Sequence, residues 1–313
     1  MLSPSVVYAI PRKVCLETNH DMSKTIIIAG TPRSGTTWLV RILEKLLHYR
    51  VINEPFFPGH VREYTFEFEK YLRPGDADPA FRSFVERVLK GDLRNAWVDQ
   101  SNRSLIARGR IVKEVRAHFC LKWIRENFPN VPIVYILRHP CAVVHSWERF
   151  GWGKPDMQSL SQELLLKDHL EPYIDAFEQA QTTSAKIAFV WCAEQLVPLR
   201  TMNVADWVVT SYEDLLQNAD GEVHKIMKYV FGDGYTKTET KAPASIISES
   251  ARTDSAILTN RNPLDSWKTD LNPQQIEEVV AMLRRFRLDT VYDESTLPHH
   301  DSLRRILTHE CSL

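Results

Sequence analysis

The chain has 313 residues, 43% hydrophobic and 25% charged. That composition excludes a collagen, a coiled-coil rod and wholesale disorder, and leaves room for one large domain or two small ones. Lys plus Arg number 39 and Asp plus Glu 40, a formal net charge of −1, so a whole-surface attraction to nucleic acid or to an anionic membrane is not expected. Five cysteines stand singly at Cys15, Cys120, Cys141, Cys192 and Cys311. An odd count without C-x-x-C or metal-type spacing points to a reducing, cytoplasmic setting. The apolar part of MLSPSVVYAIPRKVC is too short for a signal peptide or membrane anchor, and the other apolar runs are strand-sized, so no integral membrane segment is expected.

Thr25 to Ala29 is a short β-branched run ending at Gly30, and it reads as a buried strand. Thr37 to His48 carries Trp38, Leu39, Ile42, Leu43, Leu46 and Leu47 at helical spacing. Ile111-Val112 is a short strand candidate, and Leu121 to Phe128 a helix stopped before Pro129. Val131 to Leu137 is the second strong strand, continued after Arg138-His139-Pro140 by a helix from Cys141 to Phe150. Helices are expected near 162–181 and 185–200, a third strand at Trp207 to Thr210, and another helix from Tyr212. Strands alternating with helices predict an α/β fold: a single domain with a P-loop-like central parallel sheet flanked by helices. Its bounds read as 20–290, with an N-terminal extension 1–19 and a C-terminal tail 291–313. Ligands of such sheets sit beyond the carboxyl ends of the strands, where all three strong strands end in polar residues.

Gly30-Thr31-Pro32-Arg33-Ser34-Gly35-Thr36-Thr37 follows a strand and opens a helix, the setting of a phosphate loop. Inward-turned N–H groups and the helix N-terminus attract anionic oxygens there. The triphosphate version has lysine where Thr36 stands, so a nucleotide kinase or NTPase is the disfavoured alternative. Arg33 supplies a cation from within the loop. Further on, Arg138 ends a strand and Ser146 lies eight residues later on the next helix, a pair suited to gripping one phosphate.

The stretch Thr31 to Leu39 resembles the 5′-phosphosulfate loop of sulfotransferases, which use 3′-phosphoadenosine 5′-phosphosulfate (PAPS). Arginine at position 33 is similar to the protein-tyrosine, carbohydrate and bacterial branches; the cytosolic small-molecule branch usually has lysine. Arg138 and Ser146 keep the spacing of the family's 3′-phosphate site. Ser211-Tyr212-Glu213-Asp214-Leu215 resembles its Y-E-D-L segment, whose tyrosine lies near the adenine; Ser211 also reads as a helix N-cap. Ser250 to Lys268 is similar to the late cofactor-covering loop, with Arg252 and Arg261 as its basic contacts. The likeness runs from about Thr25 to Leu283. It implies PAPS as co-substrate, no metal, and binding through Arg33, Ser34, Gly35, Thr36, Thr37, Trp38, Arg138, Ser146, Tyr212, Arg252 and Arg261.

Sulfuryl transfer needs a cation for the bridging and leaving oxygens and a base for the acceptor's proton. Glu54, in Asn53-Glu54-Pro55-Phe56-Phe57, is the first candidate base, since the arginine-loop branches carry a glutamate at a comparable place. Glu114 and His118 are its rivals; in Lys113-Glu114-Val115, Val115 stands where the cytosolic branch has its histidine. Lys113 is a candidate contact to the sulfonate. Trp147, Trp152, Phe56 and Phe57 are candidates for the acceptor pocket. The residues 242–266 are polar and irregular and are expected to close over the nucleotide. The expected reaction is direct in-line transfer to a hydroxyl, less readily an amine, of a small-molecule, carbohydrate or lipid acceptor. A non-catalytic PAPS-fold binding protein is the remaining alternative.

Overall fold

The computed structural model describes residues 15–103, 105–155, 157–232, 235, 261–311 and 313. Its strands are β1 (Leu16–Glu17), β2 (Thr25–Ala29), β3 (Arg50–Asn53), β4 (Ile106–Ala107), β5 (Arg110–Glu114), β6 (Ile133–Leu137) and β7 (Val208–Ser211). Five of them form one parallel sheet in the order β3-β5-β2-β6-β7, while β1 and β4 pair separately. The expected parallel α/β sheet is therefore present, with β2 at its centre. Side chains alternate across the pleat. Ile26 and Ile28 meet one apolar layer with Trp38, Leu39 and Leu215. Ile27 and Ala29 meet the other with Val85, Phe189 and Leu283. Both faces are covered, which is why these strands are continuous apolar runs.

The main helices are α1 (Thr36–Leu47), α2 (Pro79–Lys90), α3 (Leu121–Asn127), α4 (Pro140–Phe150), α5 (Thr183–Thr201), α6 (Tyr212–Gln217), α7 (Ala219–Phe231), α8 (Pro273–Phe286) and α9 (His300–Leu307). The Ser211 hydroxyl accepts the Asp214 N–H at 2.9 Å, the cap expected of it, worth about 1 kcal/mol. The helix expected over 162–181 is broken into short turns between 163 and 179. Residues at both ends of the expected domain also pack into it: Glu17 is buried among arginines of the sheet, and Tyr292 and Ile306 join the core. The expectations for Arg252 and for residues 242–260 fall outside the described residues. Among the described residues no helix is long and apolar enough to cross a membrane.

Candidate active site

The chain leaves β2 through the phosphate loop, and the loop is held by what surrounds it. A Cβ on Gly30 would lie 2.5 Å from the Ile136 carbonyl oxygen, and one on Gly35 2.5 Å from the Tyr212 ring. Only glycine lets β6 and the Y-E-D-L tyrosine come this close. Gly35 caps α1 at φ 93°, so the first amides of the helix face a cavity lined by Gly35, Thr36 and Thr37 and lack intrahelical partners. The cavity measures about 810 Å³. Arg33 itself sits at φ 74°, a strained conformation for a side-chain-bearing residue.

Arg33 and Arg138 stand together at this loop. The Arg33 Nε donates to Ser146 Oγ at 2.9 Å, and its guanidinium lies 3.9 Å from the Phe150 ring centre. Arg138 Nη1 donates to the Arg33 carbonyl at 2.8 Å and covers the Tyr212 ring at 4.2 Å. Tyr212 meets Trp38 edge to face at 5.6 Å. Burial first, and then the charge of Arg138, pull the Arg33 guanidinium down to about 10. Arg138 Nε is buried with no partner among the described residues. Two crowded guanidiniums with a spare donor, beside free helix amides, fit a phosphate or sulfonate group.

Glu54 faces the same cavity from the end of β3. It sits at φ 44°, with its N–H given to the Lys113 carbonyl at 2.7 Å and its own carbonyl accepting from Trp97 Nε1 at 3.2 Å. Its carboxylate is bonded by Lys113 Nζ and, at 2.7 Å, by Arg116 Nη1. Burial would raise this carboxyl, but Lys113 and Arg116 outweigh it and hold Glu54 at about 2. Arg116 in turn covers Phe57 at 4.0 Å. At the far rim, Asp270 joins Arg261 at 2.6 Å to His145 at 3.3 Å.

The structure thus brings together Arg33, Gly35, Thr36, Thr37, Trp38, Glu54, Lys113, Arg138, Ser146, Tyr212 and Arg261 around one cavity. Other expected site residues lie elsewhere. The Ser34 side chain is fully buried and its hydroxyl bonds Thr31, so it shapes the loop without lining the cavity. His118 is buried behind the wall, shared between the Tyr135 hydroxyl at 3.1 Å and the Val115 carbonyl at 3.0 Å. Burial keeps it neutral, at about 4. Glu114 accepts backbone N–H bonds from Phe56, Val115 and Arg116 at 2.8–2.9 Å; it braces the strand end. Phe56 turns into the core against Tyr64, Phe81 and Phe84. Phe57, Trp147 and Trp152 do line the cavity. Arg116, Glu69 and Glu194 line it too and had no sequence expectation. The charged run that closes β5 was the one available signal for Arg116.

A family model described as the sulfotransferase family matches residues 25–231. That is more than half of the chain, and the chain belongs to the sulfotransferase family, as a PAPS-dependent enzyme of transfer chemistry. No curated protein matches it. Among solved structures it is similar to the sulfotransferase domain of the Synechococcus PCC 7002 olefin synthase, at 16% identity over 84% of this chain and 94% of that one, with a TM-score of 0.40. It is similar also to the sulfotransferase domain of the curacin biosynthetic pathway, at 16% identity over 83% and 96%, TM-score 0.44. A third is mouse sulfotransferase SULT7A1 complexed with PAP, at 15% identity over 87% of each chain, TM-score 0.43.

Proposed function

We propose that this sulfotransferase moves a sulfonate from PAPS to an acceptor hydroxyl, less readily an amine, of a carbohydrate or related molecule. We assign the catalytic domain to residues 20–290 together with the flanking residues that pack into it, Glu17 before and Tyr292 and Ile306 after. PAPS supplies the activated sulfonate. Arg33 and the amides of Gly35, Thr36 and Thr37 hold the 5′-phosphosulfate end. Arg138 and Ser146 hold the 3′-phosphate, and Trp38 and Tyr212 flank the adenine. The acceptor oxygen attacks sulfur as the bond from sulfur to the bridging oxygen breaks; 3′,5′-ADP leaves, and Glu54 accepts the acceptor's proton. A carboxylate at about 2 is a weak base while Lys113 and Arg116 hold it. A sulfonate oxygen competes for Lys113 and returns Glu54 toward an ordinary carboxylate.

The observation that carries this reading is the shared cavity. A cation pair with a spare buried donor lines it at the phosphate loop, and a carboxylate lines it from the end of β3. Calorimetry tests it. 3′,5′-ADP should bind more tightly than 5′-AMP by about tenfold to a hundredfold without added magnesium, the scale of one charge-assisted contact. Equal affinities would remove the 3′-phosphate assignment.

A further inference from the structure

Glu69 is the most exposed to question of the charges around the cavity, because burying it gains the fold nothing visible. It is 5% exposed and lines the cavity. Its backbone sits at φ 54°, and its carbonyl is pinned by Gln162 Nε2 at 2.9 Å. The carboxyl takes a hydrogen bond from the cavity-lining Ser159, yet Oε2 is buried without a partner among the described residues. Glu194, on α5, is 2% exposed and lines the same cavity. Burial and the charge of Glu69 both push its carboxyl up. A buried acid with an unmet oxygen destabilises a fold, so a ligand is the natural partner for it.

The surroundings narrow that ligand. Phosphates belong near Arg33 and Arg138, and a carboxyl repels them. Glu69 instead acts electrostatically on Arg116, which bonds Glu54, so it belongs to the acceptor's side. An ammonium there would face Arg116 and Lys113. A hydroxyl carries no charge and both donates and accepts. The adjoining wall is aromatic: Phe57 lies 5.6 Å from Trp97 and 6.3 Å from Phe68, edge to face. Arg116 covers one face of Phe57 and His60 stacks on one face of Trp97; the ring surface beyond those contacts suits the C–H surface of a saturated ring.

We infer that Glu69, backed by Glu194 and Ser159, binds a second hydroxyl of the acceptor, so that the enzyme selects polyhydroxylated acceptors over simple alcohols. This rests on the sulfotransferase reading above and adds a specificity-determining residue to it.

The probes are n-hexyl β-D-glucoside and 1-hexanol, titrated by calorimetry into the full chain saturated with 3′,5′-ADP. The glucoside should bind about tenfold or more tightly than the alcohol, as expected where a buried polar group gains its partner. Glu69→Ala should abolish the preference at unchanged 3′,5′-ADP affinity, and Glu69→Gln should retain most of it. If Glu69→Ala does not fold, Ser159→Ala carries the test, with a smaller loss in the same direction. No preference in the wild type, or a preference unchanged in the folded variant, overturns the inference. Failure of 3′,5′-ADP itself to bind strikes the underlying reading instead.

Discussion

Two pairs of arginines stand at opposite ends of the same sheet, and their partners differ. At the amino end, Arg50 and Arg110 are fully buried and pair in register on β3 and β5. Arg50 donates to Glu17 at 2.7 Å, Asp99 at 2.8 Å and two carbonyls. Arg110 donates to Glu17, Thr25 at 2.9 Å and the Leu89 carbonyl at 2.6 Å. At the carboxyl end, Arg33 and Arg138 repel one another, and Arg138 keeps an unmet donor among the described residues. The protein neutralises the first pair itself. In the second pair, the buried Arg138 Nε is a donor that an anion can meet. Residue type is alike, and the first pair is fully buried while the second is half-buried; beyond that depth, the partners are what set the two pairs apart.

Removing one member of each pair is the sharpest way to break that comparison. Arg110→Ala leaves Glu17 buried without one of its two sheet arginines and should destabilise the fold by about 3–5 kcal/mol, read by denaturant unfolding. Arg138→Ala should leave stability close to wild type and weaken 3′,5′-ADP by about tenfold to a hundredfold. The reverse pattern would mean that Arg138 is structural and that the partner criterion fails.

Glu54 tests the boundary between the two kinds of charge, since it is both fully paired and facing the cavity. Glu54→Gln keeps an acceptor for Lys113 or Arg116 but cannot take a proton. Turnover should fall by about a hundredfold or more while 3′,5′-ADP affinity stays unchanged in calorimetry. Ordinary turnover would make the Lys113–Glu54–Arg116 cluster a structural counterpart of Glu17. Loss of nucleotide affinity would place Glu54 in support of the binding loop.

How legible each region was follows from how local its chemistry is. The phosphate loop, Arg138, Ser146 and Tyr212 lie in short motifs at fixed offsets, and β2 and β6 are unbroken apolar runs, so sheet and nucleotide end could be read in order. β3 escaped notice because RVIN is four residues opening on an arginine, whose burial depends on Glu17 and Asp99 far along the chain. Phe56 and Phe57 are equivalent in sequence; their partners, Tyr64, Phe81 and Phe84 for one and the cavity-facing Arg116 for the other, come from distant segments. Glu114 and His118 were credible bases until the fold surrounded them with backbone groups. Arg116, Glu69 and Glu194 come from a strand end, a loop and a helix. Only the charged run after β5 hints at Arg116; nothing in the spacing of Glu69 or Glu194 marks them, and a lone charged residue is usually solvated.

The smallest expected effect concerns Glu69, and it asks on which side of the comparison that residue falls. Burial raises its carboxyl above 4.5, against the opposing pulls of Arg116 and Ser159. Between 4.5 and the higher folded value, the unfolded chain holds fewer protons than the folded one. Stability therefore declines as pH rises through that window, and the whole loss is present above it. Glu69→Gln removes the titrating group and can keep the bond from Ser159. The variant should match wild type near pH 5 and exceed it at pH 8 by about 1 kcal/mol, a modest part of what one or two pKa units carry. Thermal unfolding at the two pH values measures this. A Glu69→Gln variant more stable at pH 8, beside a Glu69→Ala variant that loses the acceptor preference, would show a charge kept against the interest of the fold. A variant less stable at pH 8 would show that the protein matches Glu69 internally, as it matches Glu17, and would return it to the structural class.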